Sequence, residues 1–76
     1  MQFQLTKREK EILALIIKEY SSEKIAAKFS LSIRTVETHR KNIMRKTGSR
    51  SLIALFKCAV KLGMDPHFVY VGERHP

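Results

Sequence analysis

Hydrophobic positions recur along this chain at helical rather than strand spacing. Ile12, Leu13, Ile16, Ile17 and Tyr20 form one stripe, while Lys7, Lys10, Glu11 and Lys18 lie outside it. Thr6 followed by Glu9 makes a capping box, because the hydroxyl can accept from one free backbone N–H while the carboxylate reaches back to another. The pattern therefore predicts a first helix from Thr6 to about Ser21. Ser21 or Ser22 can cap a short second helix that runs to Phe29, with Ile25, Ala26 and Phe29 inward and Lys24 and Lys28 outward. Ser30, Leu31 and Ser32 leave the chain little room to wander, so Leu31 plugs a corner and Ser32 caps the next helix.

That third helix is predicted over 33–47, ended by Gly48 in the left-handed conformation that glycine adopts without a Cβ penalty. Ser49 is the expected cap of a fourth helix carrying Leu52, Ile53, Leu55, Phe56, Ala59, Val60 and Leu62, which stops at Gly63 with Pro66 beyond. The fold class is all-α: four helices with a helix-turn-helix at their centre. Residues 1–66 are expected to form one domain and 67–76 a poorly ordered tail, whose Phe68, Val69, Tyr70 and Val71 could dock on the body or pair as a strand.

Composition narrows the partner. Fifteen Lys and Arg against seven Asp and Glu give a formal charge of +8, which favours a polyanion, nucleic acid before an anionic membrane surface. With 43% hydrophobic residues the chain can bury a core, and 76 residues suit one domain. The longest apolar run, Ile12 to Ile17, is far short of the roughly 20 residues that span a bilayer. Cys58 is the lone cysteine, which rules out an internal disulfide and suits a reducing compartment, with the cytoplasm as the expected location. His67 and His75 have no carboxylate or Cys at ligand spacing, so no metal or cofactor is expected. One Cys, one Asp (Asp65) and three His do not assemble into a hydrolytic constellation, and the chain reads as a binding module, not an enzyme.

The charge is concentrated where it matters for binding. Between Arg34 and Arg50 stand six cations (Arg34, Arg40, Lys41, Arg45, Lys46, Arg50) and one anion, Glu37. At about 100° per residue, Ile33, Val36, Ile43 and Met44 face inward. Arg34, Thr38, Lys41 and Arg45 face out, with Glu37 at the margin and Thr35, Asn42 and Lys46 on a flank. Since the major groove of duplex DNA admits a helix, Glu37, Thr38 and Lys41 are the expected base readers: Glu37 for cytosine N4, the Thr38 methyl for thymine, Lys41 for guanine O6 or N7. Lys24, Arg34, Thr35, Arg45 and Lys46 are expected on phosphates. His39 either joins them or packs helix three on helix two.

The segment Leu5 to Leu13 (LTKREKEIL), then Lys24-Ile25-Ala26, Ser32, Thr35 to His39, Asn42-Ile43 and Lys46-Thr47-Gly48 resembles the LuxR/NarL/GerE family from about Leu5 to Met64. The resemblance implies a four-helix DNA-binding domain with contacts at Glu37, Thr38 and Lys41, acting as a homodimer through the last helix. It also implies, in many members, a receiver or ligand-sensing domain, which here would precede Met1. RNA polymerase is a further candidate partner. The fourth helix agrees with the dimer, because its apolar residues spread over about 200°, more than one core requires. Leu55, Cys58 and Leu62 are the first-choice contact, Ile53 and Val60 the other edge.

Two positions depart from the family pattern: Tyr20-Ser21 stands where a Gly is usual between the first two helices, and Glu37 where a Lys is common. Two other readings carry separate expectations. A promoter-recognition module of the sigma-factor region-four type would bind only when attached to polymerase, and a protein-interaction module with a basic face would not distinguish duplex DNA from heparin.

Overall fold

The computed structural model describes residues 4–64. The expected 67–76 tail, with its apolar cluster and two histidines, lies outside them, as does Asp65. Four helices follow one another: α1 (Lys7–Ile16), α2 (Ser22–Phe29), α3 (Ile33–Thr47) and α4 (Leu52–Lys61).

Each helix is started by the same local chemistry. Thr6, Ser21, Ser32 and Ser51 are extended at their own backbone, and each accepts the N–H three residues on with its side-chain oxygen. At Thr6 the Glu9 carboxylate completes the box by accepting the Thr6 N–H at 2.9 Å. The cap of α4 is Ser51, not the expected Ser49. Ser49 is instead spent on the preceding helix, where its Oγ meets the Thr47 hydroxyl at 2.8 Å.

Helix ends are equally uniform. After α1, Tyr20 N–H donates to Leu15 O and Glu19 N–H to Ile16 O. After α2, Leu31 N–H donates to Ala26 O and Ser30 N–H to Ala27 O. The same pair of bonds recurs after α3 at Ser49 and Gly48, and after α4 at Met64 and Gly63. This is the paired closure in which one residue turns left-handed and the last carbonyls are satisfied. Gly48 takes that conformation freely, whereas Glu19 and Ser30 adopt it at φ 67° and 56° despite their Cβ atoms. In this turn, which has no glycine, Glu19 is the residue that turns left-handed. α1 consequently ends at Ile16, sooner than the periodicity implied, and Tyr20 is exposed rather than part of the stripe.

The closures aim the apolar faces at a shared centre. Ile12, Leu13, Ile25, Val36, Ile43, Leu55 and Ala59 are sealed from solvent or nearly so, with Leu15, Ile16 and Ala26 beside them. Leu5, Ile17, Phe29, Leu31, Met44 and Met64 pack around this cluster, Leu31 occupying the turn as expected. α3 packs on both α1 and α2, and α4 packs on α3. The Arg8 guanidinium lies 4.4 Å over the Phe29 ring and links α1 to the end of α2. Ile33, read as inward, is 47% exposed, because it opens α3 before the helix reaches the core.

Candidate nucleic-acid interface

The outward face of α3 follows from what the inward face buries. Val36 and Ile43, two helical turns apart, are both 0% exposed and anchor α3 against α1 and α2. Residues about half a circumference away must then face solvent. Arg34, Thr38, Lys41 and Arg45 do so, with Glu37 and Thr35 exposed beside them. Lys24, on α2, is exposed as well.

Local hydrogen bonds fix several of these side chains. Thr38 Oγ1 donates to Arg34 O at 3.1 Å, which turns the hydroxyl back onto its own helix. Arg45 Nη2 donates to Asn42 Oδ1 at 3.2 Å. Ser32 Oγ accepts from Thr35 N–H at 3.0 Å and donates to Thr35 Oγ1 at 2.9 Å, so Thr35 belongs to the cap as well as to the surface. Ser22 Oγ donates to Glu37 Oε2 and ties the start of α2 to the second turn of α3.

Two of the expected phosphate contacts are placed differently from the exposed group. Lys46 is half-buried, and its Nζ lies 2.9 Å from Glu9 Oε1 on α1, so the first claim on its charge is intramolecular. Glu9 is 4% exposed. Burial pushes its carboxyl upward, but the Lys46 ammonium, the Thr6 N–H and the charges of Lys46 and His39 outweigh that and hold it below the usual value. His39 is half-buried, and its Nδ1 is buried without a hydrogen-bond partner among the described residues, leaving only Nε2 for any phosphate.

A recess of about 260 Å³ adjoins this face, lined by Ile16, Met44, Leu52 and Leu55 together with Glu37, Arg40 and Lys41. Arg40 and the Ser22–Glu37 bond were not found by periodicity. Arg40 sits on the edge between faces, and the bond joins residues 15 apart in sequence, beyond the reach of any local pattern.

The expected dimer contact is corrected in part. Leu55 is 2% exposed and belongs to the core; Cys58 is half-buried. Leu62 is 40% exposed, but the broad apolar surface of α4 is formed by Leu52, Ile53, Phe56 and Val60, with Ile53 at 69%. Among the described residues there is no cluster of His, Cys, Asp or Glu fit for a metal, and no helix long and apolar enough to cross a membrane.

A family profile described as bacterial regulatory proteins, luxR family, matches residues 3–59. The chain belongs to the luxR family. This LuxR-type domain is 49% identical over 61 residues to the uncharacterized response regulatory protein YgeK of Escherichia coli, covering 80% of the chain and 42% of that relative. It is 47% identical over 57 residues to the oxygen regulatory protein NreC of Staphylococcus aureus, covering 75% and 26%. Its fold matches the VqmA–ligand–DNA complex of Vibrio cholera with a TM-score of 0.73 and 31% identity, over 84% of the chain and 28% of that protein. The chain thus spans less than half the length of each of these proteins. The LuxR-type assignment makes it a helix-turn-helix DNA-binding domain of the transcription-regulator class.

Proposed function

We propose that this LuxR-type domain reads a specific duplex sequence by laying α3 in the major groove and does so as a symmetric homodimer. The observation that carries the reading is the exposed row Arg34, Thr38, Lys41 and Arg45, set directly opposite buried Val36 and Ile43. Lys41 donates to guanine, the Thr38 methyl meets thymine, and Glu37 accepts from an amino group. With the Thr38 hydroxyl satisfied by Arg34 O, the methyl is the natural outward contact. Arg34, Arg45, Lys24, Thr35 and the Nε2 of His39 hold the sugar-phosphate backbone. Lys46 is left out of this set because Glu9 engages it.

The second copy docks on the α4 surface made by Leu52, Ile53, Phe56 and Val60, which presents large side chains at 39–69% exposure. Isolated apolar residues on a surface are ordinary, but four on one helical face need a cover. A receiver or sensing domain on the same polypeptide supplies the signal, RNA polymerase is the downstream partner, and the cytoplasm is the site of action.

Selection of bound duplexes from a randomised pool tests this reading, followed by affinity measurements at two salt concentrations with heparin as competitor. The expected result is an enriched, roughly palindromic site with half-sites about one helical turn apart. Binding that ignores sequence and is removed equally by heparin would refute it.

A further inference from the structure

Glu37 is the one anion between Arg34 and Arg50, and it is exposed on the face proposed to meet DNA. A flexible carboxylate in that place would repel phosphate. It would also be drawn onto Lys41, four residues on, since oppositely charged side chains at that spacing are neighbours on a helix. Either outcome blunts base reading. The structure shows a third arrangement, in which Glu37 is held away by α2 through the Ser22 hydroxyl.

Ser22 is available for this because its neighbour has taken the capping task. Ser21 Oγ accepts the Lys24 N–H at 3.1 Å, so the two adjacent serines divide the work, one starting α2 and the other reaching α3. Of the two carboxylate oxygens, Oε2 is engaged by Ser22. Oε1 has no hydrogen-bond partner among the described residues, which leaves its lone pairs for a donor outside the protein. Major-groove edges that carry a donor are cytosine N4 and adenine N6. Guanine O6 and N7 and thymine O4 are acceptors and meet a carboxylate unfavourably.

We propose that Ser22 is a positioning residue for specificity: by pinning one oxygen of Glu37 it fixes the other as an acceptor for a base amino group, cytosine foremost, and keeps Lys41 free for guanine. The inference rests on α3 docking in the major groove. It assigns part of the base preference to a residue of α2 that need not touch a base.

The test compares duplex selection and binding by the unaltered domain, Ser22→Ala, Ser22→Thr, Glu37→Ala and the double variant Ser22→Ala/Glu37→Ala, with thermal unfolding of each as a control. Ser22→Ala is expected to cut discrimination about fivefold or more at the base pair where Glu37→Ala, which has no acceptor, does, with the salt dependence unchanged. Ser22→Thr, which keeps a hydroxyl, should retain the preference, and the double variant should lose no more than Glu37→Ala alone. Unchanged preference in Ser22→Ala would overturn the proposal, as would an unchanged preference in Glu37→Ala. A uniform loss over all sequences with a shallower salt slope would make Ser22 a phosphate contact instead, and an unfolded Ser22→Ala would make it a part of the fold. Failure of the unaltered domain to enrich any site is a separate result, which refutes the groove docking and this inference with it.

Discussion

Replacing Lys46 with Met separates two roles, anchor of the fold and clamp on DNA. In the structure its ammonium lies 2.9 Å from a Glu9 carboxylate that is 4% exposed. Removing one partner of a fully buried pair costs about 3–5 kcal/mol, because the remaining charge is stranded. Two features reduce that figure here. The Lys46 side chain is 27% exposed, so water already reaches the pair, and the Thr6 N–H remains bonded to Glu9 at 2.9 Å. A loss of about 2 kcal/mol is expected, which for a domain of this size lowers the melting temperature by roughly 10 °C.

The acid response should weaken as well. Glu9 has its carboxyl held low in the folded state, so below the ordinary glutamate range the unfolded chain takes up the proton first, and stability falls as pH drops through the folded value. In Lys46→Met the burial that raises the carboxyl is opposed by the Thr6 N–H and His39 without the Lys46 ammonium, and the acid loss should shrink. Circular dichroism melts at pH 7 and pH 4 read both effects. On DNA the variant should keep the salt slope of the unaltered domain at temperatures where it is folded. A variant with an unchanged melting temperature and a salt slope reduced by about 1 would refute this reasoning and restore Lys46 as a phosphate clamp.

Three further outcomes are expected. Arg45→Ala should weaken binding to all sequences alike and reduce the salt slope by about 1, while Lys41→Ala relaxes one base position at about 1–3 kcal/mol; titrations of matched and mismatched duplexes distinguish the two. Leu55→Ala should cost about 2–4 kcal/mol in thermal unfolding as a core truncation, whereas Val60→Glu should melt normally and lose dimers on DNA in sedimentation. Glu19→Gly should stabilise the domain by about 0.5–1 kcal/mol, since relief of the left-handed backbone exceeds the added entropy of an unfolded glycine; a lower melting temperature would contradict this.

What was legible in the sequence was local. Thr6 and Glu9, or Ser32 and the turn before it, act over three residues, and the pattern alone placed these helix starts and the order of four helices. Ser49 and Ser51 defeated it because two serines precede the same apolar run, and the Thr47 hydroxyl together with the Ser49 N–H bond to Met44 O ties the first to α3. Periodicity also sorted α3 correctly at Val36 and Ile43 but failed at Ile33, where a helix face continues past the edge of the core. On α4 it showed a surplus of apolar positions without saying which arc was the surplus, so Leu55 was turned outward although it is buried. The Glu9–Lys46 and Ser22–Glu37 contacts join residues 37 and 15 apart, and nothing local marks them.

These two long-range contacts act in the same direction on the charge of one face. Glu9 takes a cation from it, and Ser22 keeps an anion in it. Both lower the attraction of any duplex, because nonspecific affinity grows with the number of phosphates neutralised. Neither removes Arg34, Lys41 or Arg45, which remain exposed. A regulator must distinguish its site from a large excess of other sequences, so discrimination matters more than raw affinity. On the proposed docking, a face with fewer free cations and one fixed acceptor holds wrong sequences less tightly while keeping the contacts that a matching base pair satisfies. The uniform caps and closures support this division of labour: they set the path of α3 through backbone bonds, so side chains on its outer face can change what is read without changing how the helix is held.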